Sequence, residues 1–286
     1  MIKLENTEVM GWEHAIRGMR NPMNSYDKMD SFVCTEGLMT NEEIDATCGK
    51  CTKTNCCDIY DTDPHFIIGP NDYDLMKRLR NAGTDHRKFM RMITVYVDIT
   101  APLYWWKEFD TYKVGTVANS CSTMHKIHAK EFTLNDFSHE HLFGPDDMLD
   151  YDERVDPAKD NALAAVNVDG EWCYFTPQGY IQMTCNILNH YRELYLNCEA
   201  KLKRTDLTEA ERKHITAMKK RFWWQMIQLL PSSYNQKRTV LLNYEVLANM
   251  YKSRKNHKLD EWHAFCDWIR GLPYSELITG EFEKDN

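Results

Sequence analysis

The run Met90–Ile99 constrains this chain more than any other segment. Ile93, Val95, Val97 and Ile99 fall on alternate residues, with Thr94, Tyr96 and Asp98 between them. A period of two puts the four apolar side chains on one face of an extended strand, which predicts a sheet with one buried face. The second half of the chain has a different rhythm. From Pro177 onward it reads as helical to about residue 270. Segments 178–203 and 208–230 form a helical hairpin, the second opening with a Thr208-x-x-Glu211 capping box and stopped by Pro231. Two further helices are expected over 237–254 and 259–270. Strands followed by helices specify an α+β fold, and 286 residues suffice for one domain spanning 1–286.

The remaining segments fit around this plan. Residues 1–30 read as a short strand and a helix over Trp12–Met19 that breaks at Asn21-Pro22. A helix capped by Asn71 or Asp72 runs to about Asn81 and stops at Gly83. Pro102 suits the first turn of a helix over Leu103–Tyr112. Residues 114–124 are small and polar, a strand or a lining loop. Residues 163–168 and 171–175 flank Asp169-Gly170, a two-residue hairpin turn. Two stretches read as insertions: 31–64, polar and Cys-rich, and 135–170, which is acidic and broken by Pro145 and Pro157.

Composition excludes several classes. The net charge of −8 and pI near 5.8 argue against broad nucleic-acid binding, which Lys and Arg drive by neutralising phosphates. A local basic pocket for one nucleotide remains compatible with that charge. No apolar run approaches the ~20 residues that cross a bilayer, and MIKLENTEVMGWEHAIRGMR lacks the apolar core of a signal peptide. A cytoplasmic protein without a membrane segment is the expectation. The pairs Trp105-Trp106 and Trp223-Trp224 read as core or as an oligomer interface.

Two clusters suggest chemistry. Cys48-Gly-Lys-Cys51-Thr-Lys-Thr-Asn-Cys56-Cys57 has a Cys-x-x-Cys pair whose thiolates reach one ion. Cys56 or Cys57 could add a third ligand, with Cys34 or His65 completing a zinc site. Free thiols and a redox or iron–sulfur role remain open beside zinc, because the second Cys-x-x-Cys of a zinc ribbon is absent. Ser120 and Ser122 lie near His125 and His128, but near-sequence clusters rarely form a triad. His139-Glu-His141 reads as solvated rather than chelating. The hydrolase, zincin, P-loop and dinucleotide motifs are all missing.

Residues 83–124, GTDHRKFMRMITVYVDITAPLYWWKEFDTYKVGTVANSCSTM, carry the decisive pattern. This stretch resembles the central region of the flavin-dependent thymidylate synthases. In that family a strand leads into an Ala-Pro-Ile-Phe-Val-type helix and then into Arg-His-Arg-x-x-Ser-x-Asn-Glu-x-Ser-x-Arg-Tyr. Here Ala101-Pro102-Leu103-Tyr104 matches the helix start. The Arg-His-Arg then falls on Thr111-Tyr112-Lys113, the first Ser on Thr116, the Asn-Glu on Ala118-Asn119, the second Ser on Cys121 and the Arg-Tyr on Thr123-Met124. Leu230-Pro231, followed by Asn243, Leu247 and Arg254, resembles the family's later helix, with Glu245 and Phe265 at two of its arginine positions. Ser25 matches the N-terminal Arg-x-Ser segment, and His86 the Gly-His turn.

The resemblance implies a central antiparallel sheet flanked by long helices, with 31–64 and 135–170 as insertions and 177–270 as the helical half. It also implies FAD as cofactor, a pyrimidine nucleotide such as dUMP as ligand, transfer of a one-carbon unit to the base, and a homotetramer with sites between subunits. The positions that match are Ser25, His86, Lys113, Thr116, Asn243 and Arg254, with Lys113 and Arg254 expected to grip one phosphate. The frame is kept while most arginines are gone, and arginine is the family's means of holding phosphates. Two readings follow. One is an enzyme that methylates or otherwise modifies a pyrimidine nucleotide, its stacking pocket built from Tyr104–Trp106. The other is a non-catalytic relative, a nucleotide sensor, sponge or inhibitor.

Overall fold

The computed structural model describes residues 2–34, 65–144, 164–168 and 171–282. The Cys48, Cys51, Cys56 and Cys57 cluster and most of the 31–64 stretch lie outside these residues. The described residues form two compact units, one drawn from 2–100, 105–120 and 237–282, the other from 101–104 and 121–236.

The first unit is organised by a sheet. Strands β1 (Lys3–Met10), β4 (Thr94–Pro102) and β5 (Val117–Ser120) join β8 (Asn235–Asn243) in the order β1-β4-β8-β5. β1 runs antiparallel to β4, with Leu4 opposite Ile99 and Val9 opposite Val95, and β5 runs antiparallel to β8, with Val117 opposite Leu241. The alternation reads out as predicted: Ile93, Val95, Val97 and Ile99 are buried, and Val240 and Leu242 of β8 are buried with them. The strand begins later than the apolar pattern, because residues 87–91 coil into a 3₁₀ turn that buries Phe89 and Met90. The helix expected over 237–254 is wrong in its first half. Residues 237–243 extend β8, and only from Tyr244 does α7 (Tyr244–Arg254) begin. The reason is tertiary: β8 fills the gap between β4 and β5, and its backbone bonds go to those neighbours.

Helices cover the buried face. α1 (Trp12–Arg20), α2 (Pro70–Asn81), α3 (Leu103–Phe109), α7 and α8 (Asp260–Arg270) carry the aromatic core, in which Trp105, Trp106, Phe109, Trp262 and Phe265 are at most 2% exposed. Trp105 touches Trp106, Phe109, Trp262 and Phe265 at centroid separations of 4.8–5.7 Å, the range of favourable edge and offset contacts. The aromatic pair is therefore core, and the stacking pocket expected from Tyr104–Trp106 does not form. Pro102 ends the strand, and α3 stops at Phe109, short of the Tyr112 expected. α2 is capped from a distance rather than by its own Asn71 or Asp72. The Asp30 carboxylate accepts from the Asn71 and Asp72 amides at 2.8 and 3.0 Å. Asp72 is buried instead against Arg20, whose Nε donates to it at 2.6 Å, while Ser31 donates to it through both its amide and its hydroxyl.

The second unit is the hairpin of α5 (Pro177–Leu202) and α6 (Glu209–Leu229), with the Thr208–Glu211 capping box formed as the sequence predicts. Its core gathers Ile127, Phe132, Phe137, Ile181, Cys185, Leu188 and Met226, with Trp223 half-buried against them. Residues 132–138 are thus packed chain, since Phe132 and Phe137 are buried and Phe137 pairs with Tyr234, whereas Glu140, His141 and Phe143 are exposed. β6 (Ala164–Val168) and β7 (Glu171–Phe175) make the predicted antiparallel hairpin, and β2 (Phe32–Cys34) pairs with β3 (His65–Ile67). No helix among the described residues is long and apolar enough to cross a membrane.

On the outer face of the sheet, Asp98 accepts from Thr239 Oγ1 at 2.6 Å and from Asn6 Nδ2 at 2.9 Å, beside Lys237. These donors hold its carboxyl at about 2, below the ordinary 3.8. A depressed carboxylate stabilises the fold above its unfolded pKa and loses that contribution as pH falls through its folded value. Stability should therefore decline between pH 3.8 and about 2, and Asp98→Asn should flatten that part of the curve, as followed by urea midpoints across the acid range.

Candidate functional site

The residues singled out from the sequence sit on three elements of the first unit. Residues 111–116 connect α3 to β5, Asn243 and Arg254 bound α7, and His86 precedes the 3₁₀ turn at 87–91. Two contacts fix the 111–116 loop on α7. Arg254 Nε donates to Tyr112 Oη at 2.9 Å. At the other end Gly115 has φ +82°, and a β-carbon there would lie 2.7 Å from Asn243 Nδ2. Only glycine meets both the left-handed backbone and the close approach. The loop is thereby laid along the helix, with Lys113 exposed between the two anchor points.

Asn243, Thr116 and Arg254 each have an internal role. Asn243 Oδ1 accepts from the Val246 amide at 2.9 Å as the N-cap of α7. Thr116 Oγ1 donates to the Tyr112 carbonyl. Arg254 directs Nη1 at Glu108 Oε2, 2.7 Å away, and stacks over Trp262 at 4.7 Å. The same Glu108 oxygen accepts from Trp262 Nε1 at 2.9 Å and lies 3.3 Å from His257 Nε2. The planar fork that would clasp a phosphate is occupied by a carboxylate of the same chain. α7 has eleven residues, and at about 1.5 Å per residue Asn243 at its start and Arg254 at its end stand roughly 16 Å apart. Arg254 is thus engaged by Glu108, while Lys113 is exposed.

The substituted arginine positions are absorbed in the same way. Glu245, 7% exposed, faces Arg87, with Nε 2.8 Å from Oε2 in an ionic contact too bent for a hydrogen bond and Nη2 donating to Oε1 at 3.1 Å. Phe265 lies wholly in the aromatic core. Thr111 Oγ1 donates to the Glu108 carbonyl at 2.7 Å. Ser25 belongs to a different network, where Arg20 Nη1 donates to its carbonyl at 3.2 Å. His86 is exposed, one residue before the Arg87–Glu245 pair. Ser122 caps the short α4 (Thr123–Lys126) by accepting from the His125 amide at 3.3 Å. His139 Nδ1 lies 2.9 Å from the Phe137 carbonyl. Among the described residues no cluster of His, Cys, Asp and Glu could hold a metal ion.

Sequence reasoning missed Glu108, Arg87 and Tyr112. Glu108 reads as an ordinary surface charge after two tryptophans, and its partner is 146 positions away. Arg87 and Glu245 are separated by 158 positions. No local pattern marks either pair.

Glu245→Ala should destabilise the fold by about 3 kcal/mol, because it strands a largely buried guanidinium. The swapped double variant Arg87→Glu/Glu245→Arg should recover most of that loss in urea denaturation. A double variant as unstable as the sum of its singles would show that the pair is not coupled.

No family model matches the chain, and no curated protein matches it. Solved structures do. The thymidylate synthase X of Helicobacter pylori with FAD and dUMP aligns at a TM-score of 0.52 and 13% identity, over 98% of each chain. A second structure of that flavin-dependent enzyme, also complexed with FAD and dUMP, gives 0.48 and 13%, over 98% of this chain and 100% of that one. The UMP/dUMP methylase PolB of Streptomyces cacaoi bound with 5-Br dUMP gives 0.43 and 11%, over 98% and 94%. The last two scores fall below 0.5 and carry no weight. The first shows that this chain has the fold of the flavin-dependent thymidylate synthases, at an identity that speaks for the fold alone.

Proposed function

We propose that this protein binds a pyrimidine nucleotide such as dUMP on the loop Tyr112–Ser120, and that it does so as a non-catalytic relative of the flavin-dependent thymidylate synthases. The observation that carries the reading is the anchoring of that loop. Tyr112 is held by Arg254 and Gly115 is pressed on Asn243, so the segment aligned with the family's signature is kept in a defined place although its side chains have changed. Lys113, exposed at the centre of the loop, supplies a point charge for one phosphate.

The residues do not fit the flavin. A dinucleotide pyrophosphate needs unpaired cations or free backbone donors. Arg254 is paired with Glu108, Arg87 with Glu245 and Arg238 with Asp110, at 2.7–2.8 Å. The N-terminus of α7 is capped by its own Asn243, and Phe265 stands in the core where the resemblance places an arginine. No hydride or methyl transfer is therefore derived for this chain. The observation that Glu108 competes for Arg254 gives binding a cost, since a phosphate must displace a carboxylate from the guanidinium before it gains the fork.

The reading is tested by thermal shift. At about 100 times its dissociation constant, dUMP should stabilise the protein by roughly 2.7 kcal/mol. Lys113→Glu should weaken binding by about tenfold or more, the loss of one charge-assisted phosphate contact of roughly 1.5–3 kcal/mol, with the melting temperature of the free protein unchanged. Purified protein should lack the visible absorption of a flavin. Absence of any shift with dUMP, UMP and dTMP overturns the nucleotide reading, and a bound flavin in the purified protein overturns the non-catalytic one.

A further inference from the structure

Positive charge gathers in one part of this acidic chain. Residues 192–221, the end of α5 and the first part of α6, contain nine Lys and Arg against five Asp and Glu, whereas the whole chain has 35 against 43. Part of this basic segment lines a cavity of about 360 Å³ bounded by α4, α5 and α6, all within the second unit. On α6, Thr216, Lys219, Lys220 and Trp223 stand at i, i+3, i+4 and i+7, the spacing that puts side chains on one helix face. Tyr195 of α5 and Met124 and His125 of α4 complete the wall. Two hydrogen bonds tie the three elements together here. Trp223 Nε1 donates to the Met124 carbonyl at 3.0 Å, and Lys219 Nζ reaches from α6 to Glu199 on α5 at 2.6 Å.

We propose that this cavity binds a small aromatic anion, a planar ring bearing a phosphate or carboxylate group. The rings and the cations of the wall carry the assignment together. Tyr195 and Trp223 are half-buried, each packed on the hairpin core and each also facing the cavity. A flat ring lodged against them takes apolar surface out of water and gains aromatic contacts. Lys219 is matched by Glu199, and its ammonium lies 4.6 Å from the centre of the Tyr195 ring, so that cation is already satisfied. Lys220 is exposed and makes no ion pair with any described residue. With Glu199 counted, the site therefore keeps one uncompensated positive charge. An anionic group placed there gains a charge-assisted contact that a neutral ligand lacks, and a cationic ligand would be repelled. The volume falls within the range of small-molecule pockets. A nucleic-acid strand, by contrast, needs a groove that follows its backbone, and this space is confined to the junction of three helical elements. The inference does not rest on the nucleotide reading, which concerns the loop of the first unit.

The test is isothermal titration calorimetry of the full chain with naphthyl phosphate and naphthoate, and with inorganic phosphate and naphthol as the separate halves. At least one of the two aromatic anions should bind at about tenfold or more higher affinity than either half, and the tighter of the two tells a phosphate ester from a carboxylate. Lys220→Glu should weaken that binding by about tenfold or more, through loss of a charge-assisted contact. Thr216→Trp, which sets an indole against the cavity, should abolish it. Both positions are exposed, so the melting temperatures of the free variants should match wild type. Lys113→Glu, in the loop of the first unit, should leave the affinity unchanged, which separates this site from the nucleotide one. Failure of both aromatic anions to bind, or halves that bind as well as the whole, overturns the proposal. Wild-type affinity in either Lys220→Glu or Thr216→Trp overturns it too, as does loss of binding in Lys113→Glu.

Discussion

A single carboxylate oxygen organises the helical layer of the first unit. Glu108 Oε2, at the end of α3, accepts from Arg254 at the end of α7 and from Trp262 in α8, with His257 of the intervening turn beside it. Three elements distant in sequence are tied at one point, partly withdrawn from water, where charge-assisted hydrogen bonds count for most. The aromatic core begins directly beneath, because the Trp262 ring that donates to Glu108 also packs on Trp105 and Phe265. Arg254 is held from two sides, by the carboxylate and by the faces of Tyr112 and Trp262. This arrangement makes Arg254 a structural cation of the chain.

The positions where the resemblance would set other arginines are occupied in the same way. Where the resemblance sets an arginine, Glu245 forms an ion pair with Arg87, and Phe265 joins the core. Losing a ligand-facing cation would leave a cavity or an unpaired partner, and each replacement removes that penalty by packing or by pairing. The backbone of the loop is held independently of these charges, by the left-handed Gly115 against Asn243 and by Asn243 as the cap of α7. A scaffold can hold its geometry while its chemistry changes, because geometry depends on caps, turns and core volume, whereas binding depends on which charges are unpaired. The likeness to the Helicobacter pylori enzyme, 98% coverage with 13% identity, is one of fold.

Features governed by local rules were legible in the sequence. The alternation of Ile93 to Ile99, the α5–α6 hairpin, the Thr208–Glu211 cap and the β6–β7 pair rest on residues within a few positions of one another. What was misread depended on partners far away. The segment 237–243 looks helical in isolation and is a strand because two other strands flank it. Phe132 and Phe137 sit in an acidic stretch and are buried because the hairpin offers them a core. Trp105 and Trp106 have the composition of a stacking pocket, and the surrounding Phe109, Trp262 and Phe265 close it.

Local sequence carried the α+β class and the resemblance to the flavin-dependent thymidylate synthases, with few arginines at the positions that the resemblance aligns. It could do so because secondary structure and residue identity are properties of short windows. Tertiary structure alone decided what became of the charges that remained. Whether Arg254 is available to a phosphate depends on a carboxylate 146 residues earlier, and an ion pair across that separation exists only once the chain has folded and brought both groups out of bulk water.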